Sequence, residues 1–260
     1  MKKRNGLLKL MMWLVYFTLW APVIVVVVFS FNDSKYGVVW KKFTFKWYET
    51  LLTNSQLQDA LIRSLMVAVL VAIIGCIIGT LGAYGIYKLQ FRLKKTLRMA
   101  ILVPIVLPCV VVGGALLVYF ERIIHLPLGF FSIVIAHISW AAPLAVFIIL
   151  GRMQRIDWAW EEAARDLGCS KFRTFYRVTL PLLAPAIGAT ALVIFPWSFD
   201  DFVVTYFVSG IGNTTLPIYI YSQLRFGSTP TINCIGTILM SVTISLLLIN
   251  MALENRDKKF

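Results

Sequence analysis

Acidic residues are scarce in this chain of 260 residues: Asp and Glu number 12 against 25 Lys and Arg, and charged residues of both signs reach only 14%. With 59% of its residues hydrophobic, the chain has too little polar surface to cover a soluble globule, and its mean hydropathy of +0.81 reads as an integral membrane protein. The phosphate-cradling pattern Gly-x-x-x-x-Gly-Lys-Ser/Thr is missing, so ATP is not expected to bind here. Histidine occurs twice, as His125 and His137, and neither has a second metal-type ligand at suitable spacing; His137 reads as a hydrogen-bonded histidine inside a helix bundle. The four cysteines, Cys76, Cys109, Cys169 and Cys234, form no Cys-x-x-Cys pair, and three lie in apolar runs. Free thiols packed as small hydrophobes are expected, with no disulfide, metal or cofactor. No nucleophile or acid–base pair suggests an enzyme. No soluble domain, repeat or low-complexity linker divides the chain, so residues 1–260 read as one transmembrane domain.

What the chain does have is long apolar runs separated by short polar ones. Lys2, Lys3, Arg4 and Lys9 precede a run from about Leu10 to Phe31; its length and the lack of a small-residue cleavage pattern favour an uncleaved first span over a signal peptide. An outer loop to about Asp59 follows, rich in rings (Trp40, Phe43, Phe45, Trp47, Tyr48) suited to a membrane interface. The second span, about Ala60 to Tyr87, spaces Gly75, Gly79, Gly82 and Gly85 at three- and four-residue intervals, a small-residue face for a neighbouring helix. A third, about Met99 to Phe120, contains Pro104, Pro108 and Gly113-Gly114 and is expected to be kinked or broken. A fourth runs from about Phe130 to Leu150, a fifth from Ala184 to Ser209, and a sixth from Thr231 to Leu253. The segments before the first span, from Lys88 to Arg98, from Gly151 to Leu183, and after Leu253 carry four, five, six and three Lys and Arg, 18 of the 25. That bias makes them the cytoplasmic segments of an all-α protein with six transmembrane helices and both termini cytoplasmic. Basic residues confined to such loops write membrane topology, so the net charge of +13 does not imply nucleic-acid binding.

The least apolar stretch between two strongly apolar ones is Trp160 to Pro185, within the loop at about 151–183. Glu161 and Glu162 precede Ala163 and Ala164, then Asp166, Leu167 and Gly168: acids in a first turn and a glycine stop spell a short helix. Lys171, Arg173 and Arg177 alternate with Phe172, Phe175 and Tyr176 in a basic amphipathic piece that Leu180-Pro181 is expected to close.

Glu162-Ala163-Ala164, Gly168, Val178 and Leu180-Pro181 resemble the Glu-Ala-Ala loop signature of the membrane subunits of bacterial ABC importers, with Val178 in place of the usual Ile. The resemblance implies a type I ABC importer permease fold in the bacterial cytoplasmic membrane. It also implies a coupling helix that docks into a cleft on a cytoplasmic ATPase subunit. Ser30 to Asn32, Trp47-Tyr48, the run Ser198 to Gly210, and Thr214 to Pro217 look like the permeases of spermidine/putrescine importers in particular. Implied partners are two ATPase copies, a second homologous permease, an extracytoplasmic binding protein, a polyamine substrate and the lipid bilayer. Related permeases for other organic cations, amino-acid derivatives and iron share much of this pattern. An ATPase-independent secondary transporter would leave the Glu-Ala-Ala loop without a purpose.

Asp200 and Asp201, beside Trp197, are two acids in an apolar span, a costly placement that marks a cavity or pathway. A carboxylate facing water could meet a substrate ammonium, only one of the two being expected to face the cavity centre, and Trp197 could add a cation–π face. On a continuous helix the two would point about 100° apart. The alternative is that they cap a helix break at the outer surface.

Overall fold

The computed structural model describes the backbone of residues 2–34, 39–90, 92–225 and 230–257, with side chains except at 2–5, 7 and 246–257. Among the described residues twelve α-helices follow in order: α1 (Lys2–Phe29), α2 (Lys46–Thr53), α3 (Ser55–Lys88), α4 (Lys94–Val106), α5 (Cys109–Val118), α6 (Phe130–Met153), α7 (Ala159–Asp166), α8 (Lys171–Thr174), α9 (Leu180–Phe199), α10 (Val203–Val208), α11 (Leu216–Arg225) and α12 (Pro230–Asp257). Single π-helical turns extend α5 over Tyr119–Ile123 and join α8 to α9 over Phe175–Thr179. No strand forms among the described residues beyond one bridge between Asn32 and Phe43. Two compact units result, one from residues before Asp59 and after Tyr219, the other from Asp59–Tyr219.

Among the described residues, four helices are long and apolar enough to cross a membrane: Leu8–Phe29, Ser55–Lys88, Phe130–Met153 and Lys171–Phe199. The bent pair α4–α5 makes a fifth, and Pro230–Ser245 of α12 is a shorter apolar helix. A multi-pass membrane protein is the outcome, with four to five of the expected six spans meeting that length and apolarity among the described residues. Of the expected loops, residues 35–38, 91 and 226–229 lie outside the described residues. The last helix runs to Asp257, past the expected end at Leu253.

In the first unit the end of α1 is tied to the loop that follows. Asn32 is fully buried; its side chain donates to the Val39 carbonyl and accepts from Lys41 N, both at 2.9 Å. Trp47 Nε1 donates to the Asn32 carbonyl at 2.9 Å, and the Ser30 and Tyr48 hydroxyls meet at 2.7 Å. Phe31 stacks on Phe43 at 5.1 Å and packs edge-on to Phe45. The rings expected at an interface pack on one another, while Trp40, Phe43 and Phe45 stay exposed. Cys234 Sγ reaches the Ser30 carbonyl at 3.2 Å, joining α12 to the same corner.

The second unit is centred on α3, α6 and α9. At 34 residues α3 spans about 51 Å, well beyond an apolar bilayer core of about 30 Å, so an end must project. The expected small-residue face meets α6: a Cβ at Gly75 would touch the Ala141 methyl at 3.3 Å, one at Gly79 would collide with Ala145, and one at Gly82 would lie 3.0 Å from Val146. Between helices that gain nothing by leaving lipid, such backbone proximity supplies the attraction. Gly85, grouped with these by spacing, meets nothing within 4 Å.

The proline-rich third span breaks as expected, more sharply than a kink. Leu107 and Pro108 are both extended, because proline disfavours α geometry in the residue before it, and α4 meets α5 at 99°. Past the break, Gly113 lets α5 close on Val204 and Phe207 of α10. Two boundaries are corrected in the fifth span. The helix starts at Lys171, and Leu180-Pro181 does not close the segment: the π turn before it absorbs the missing N–H of Pro181 and the chain stays helical. At the other end the expected helix to Ser209 breaks at Asp200 and resumes as α10. All four cysteines are unpaired; Cys76 and Cys234 are buried as expected of packed thiols, whereas Cys109 is exposed.

Candidate functional site

Two sites stand at opposite ends of one continuous helix. At the first, α7 carries the acids and the glycine stop. Asp157 Oδ1 accepts from Ala159 N at 3.0 Å at its start. Gly168, at φ +84°, ends it: Gly168 N donates to Arg165 O at 2.9 Å and Cys169 N to Ala164 O at 3.1 Å, the paired bonds of a Schellman stop. A left-handed residue is needed there, and glycine supplies it without a Cβ penalty.

The two acids of the first turn part company. Glu162 points to solvent, as do Ala163, Asp166, Leu167, Gly168 and Pro181, while Ala164 and Leu180 are half-buried. Glu161 is only 3% exposed and turns into the protein. Lys88 Nζ lies 2.6 Å from its Oε2, the Tyr84 hydroxyl donates to Oε1 at 3.0 Å, and Arg165 approaches at 3.8 Å. Lys88 also sits over the Trp158 indole, 4.0 Å from the ring centroid, and Tyr87 stacks on the same ring at 4.8 Å. Tyr84 packs against Phe175 at 4.9 Å. The end of α3 thus clamps α7 and the helix after it through one buried carboxylate, a charge-assisted contact stronger than a neutral hydrogen bond. Outside the clamp, Trp160, Leu167 and Phe172 are 66%, 86% and 74% exposed, an apolar face on an otherwise charged segment.

At the second site, Trp197, Asp200 and Asp201 line one cavity of about 420 Å³, walled also by Trp140 of α6 and by Pro104 and Leu107 at the α4–α5 break. The acids sit at a break, not on a continuous helix, and the two carboxylates differ accordingly. Asp201 Oδ2 accepts from Thr205 N at 2.8 Å and Thr205 Oγ1 at 3.0 Å, holding the first turn of α10, and lies 3.2 Å from His137 Nε2. Thr205 Oγ1 gives its hydrogen to Asp201, so His137 Nε2, 2.9 Å from Thr205 Oγ1, points its hydrogen at that hydroxyl and the carboxylate together, and Nδ1 meets Ser198 Oγ at 2.8 Å. His137 is buried and hydrogen-bonded, as its place in an apolar run suggests. Asp200 caps the C-terminus of α9 and is exposed to the cavity without a protein partner among the described residues. Trp140 and Trp197 pack edge to face at 5.3 Å on the cavity wall. The arrangement sets a free carboxylate and two indoles around a space open to an organic cation.

The acids thus stand where one helix ends and the next begins, and both line the cavity. Tyr84, Lys88, Trp158, Trp140 and the His137 link escape sequence reasoning, because nothing in their local spacing announces them. Arg63 and Ser64 do as well. Arg63 donates to the Thr214 carbonyl at 3.0 Å and Ser64 Oγ accepts from Leu216 N at 2.8 Å, pinning the Thr214 to Pro217 motif to α3.

A multi-pass helical fold carries a helix–glycine–helix segment ahead of its long helix from Lys171 to Phe199, and residues 73–256 match the binding-protein-dependent transport system inner membrane component family; the chain belongs to it. It is 36% identical over 244 residues to the spermidine/putrescine transport system permease protein PotC of Escherichia coli strain K12, covering 94% of this chain and 92% of that one. The PotC protein of Haemophilus influenzae is 34% identical over 246 residues, 95% of each chain. The putrescine transport system permease protein PotI of E. coli K12 is 35% identical over 228 residues, 85% of this chain and 81% of that one. Among solved structures, a bacterial ABC transporter involved in the import of the acidic polysaccharide alginate superimposes with a TM-score of 0.74 over 98% of this chain and 96% of that one; at 19% identity it shares the fold.

Proposed function

We propose that this chain is the membrane-spanning permease subunit of an ATP-driven importer that translocates polyamines of the spermidine/putrescine kind, delivered by an extracytoplasmic binding protein. The observation that carries the substrate is likeness over nearly the full chain to permeases named for spermidine and putrescine, together with an unpartnered Asp200 beside two indoles in a cavity. A polyamine offers ammonium groups on a flexible apolar chain, which a carboxylate and aromatic faces complement.

In this reading the two units form one permease domain over 1–260, with six spans and both termini on the cytoplasmic side of the bacterial inner membrane. The loop at about 151–183 docks α7, through Glu162 to Gly168 and the exposed Trp160, Leu167 and Phe172, into a cytoplasmic ATPase subunit. ATP is hydrolysed on that subunit, present in two copies, and a second homologous permease completes the cavity. Support for a binding protein comes from a solved alginate transporter in complex with its pentasaccharide-bound periplasmic protein, which shares this fold with a TM-score of 0.71. Motion of the docked α7 reaches Asp200 along the helix from Lys171 to Phe199, 29 residues or about 44 Å.

ATP-driven uptake of labelled spermidine and putrescine is measured in proteoliposomes holding the complete transporter and its binding protein. Uptake is expected, and Asp200→Asn and Asp201→Asn are expected to weaken it without changing subunit assembly. No polyamine uptake by the wild type sinks the substrate assignment; full uptake by both variants and by the double variant rejects the role of the acids.

A further inference from the structure

Of the five basic residues from Lys88 to Arg98, two have work inside the protein. Lys88 pairs with Glu161, and Lys94 Nζ donates to the Tyr87 and Leu89 carbonyls at 3.1 and 3.0 Å at the end of α3. Lys95 and Arg98 have no acidic partner among the described residues. Both lie in the first two turns of α4, whose start has no acid in its first turn and no side-chain cap. Cations at the positive end of a helix are unfavourable unless an anion answers them.

The two cations border a cavity of about 270 Å³ between the end of α3, α4 and α6, walled by Met99, Leu102, Phe147 and Leu150, with Gln154 as its other polar side chain. No residue of α4 is buried in the protein; Met99 is 61% exposed, and Phe147 across the cavity 58%. A free anion would answer the charges and leave the apolar wall uncovered. A neutral hydrocarbon would do the reverse. We infer that this cavity is a binding site for an anionic phospholipid, its phosphodiester between Lys95, Arg98 and the start of α4, and its acyl chain along Met99, Leu102, Phe147 and Leu150. The lipid neutralises the uncompensated positive end of α4 and supplies the packing that the protein does not give this helix. The site rests on the chain being a membrane protein and is independent of the polyamine reading.

The test is native mass spectrometry of the complete transporter, titrated separately with phosphatidylglycerol and phosphatidylcholine. The wild type is expected to retain phosphatidylglycerol in preference to phosphatidylcholine. The double variant Lys95→Gln/Arg98→Gln should lower the phosphatidylglycerol affinity by about 30-fold and leave phosphatidylcholine retention unchanged. Met99→Trp keeps both charges but fills the apolar wall, and is expected to lose the lipid as well. Equal phosphatidylglycerol retention by the wild type and the charge variant overturns the site, as does displacement by soluble glycerol phosphate at the concentrations where the lipid binds. Cross-linking of a Met99→Cys variant to another transporter subunit in full yield also overturns it, since a protein would then cover the cavity.

Discussion

Tyr84 and Glu161 are 77 residues apart in sequence and 3.0 Å apart in space, and with Lys88 they decide which of two adjacent acids faces outward. A buried carboxylate is tolerated only when paired and hydrogen-bonded, so Glu161 is committed inward and Glu162 is left to solvent. Removing one partner of a fully buried pair costs about 3–5 kcal/mol; with the Lys88 side chain 30% exposed, a cost nearer 2 kcal/mol is expected here. Glu161→Gln and Lys88→Gln should each lower the solute imported per ATP hydrolysed while ATP hydrolysis continues, the double variant should be no worse than the single ones, and Lys88→Arg should retain coupling. Additive losses in a double-mutant cycle would show that the two residues act separately. At the other site, the same rule separates Asp201, held by His137 and Thr205, from Asp200, which faces the cavity without such partners.

Two elements depend on a glycine for different reasons. Gly168 is open all round, and only its φ of +84° matters. A β-branched residue there strains the backbone by about 1–2 kcal/mol and loosens the turn that sets the angle between α7 and α8. Gly168→Val is expected to assemble in the membrane and lose most ATP-coupled uptake; wild-type uptake would remove the turn from the coupling argument. Gly79 has ordinary helical geometry but lies against α6, where the Ala145 carbonyl carbon would stand 3.0 Å from an added Cβ. Gly79→Leu forces α3 from α6 and should cost about 1–3 kcal/mol or more, read as a lower unfolding temperature of the detergent-solubilised transporter. The corresponding Gly85→Leu, with nothing within 4 Å, should leave that temperature unchanged.

At the scale of the whole molecule, the proposed topology puts the coupling segment and the loop after α1 on opposite sides of the membrane. Cys169 is half-buried beside Gly168 and unpaired, so it is a native reporter. In a background without the other cysteines, a membrane-impermeant maleimide should label Cys169 only in inverted vesicles, and a Lys41→Cys variant only in intact spheroplasts. Labelling of both from one side would break the topology. One helix from Lys171 to Phe199 runs from the segment after Gly168 to the acid-lined cavity, the path along which the proposed coupling would act.

Features set by nearest neighbours along the chain were legible without coordinates: the membrane class from hydropathy, the α4–α5 break from Pro108, the end of α7 from Gly168, and the Glu-Ala-Ala segment from its spacing. Each depends on transfer energies or backbone preferences that a few consecutive residues determine. Boundaries failed where the backbone found a way around the local signal. Helix continues through Pro181 by means of a π turn, and the fifth span breaks at Asp200, where Asp201 exchanges helix bonds for His137 and Thr205. Only tertiary structure chose Glu161 over Glu162 for burial, paired the Ser30 to Asn32 and Trp47-Tyr48 motifs, and set Trp140 beside Trp197. Burial of a polar or charged group is decided by which partner arrives to compensate its lost water, and those partners come from helices the sequence keeps far apart.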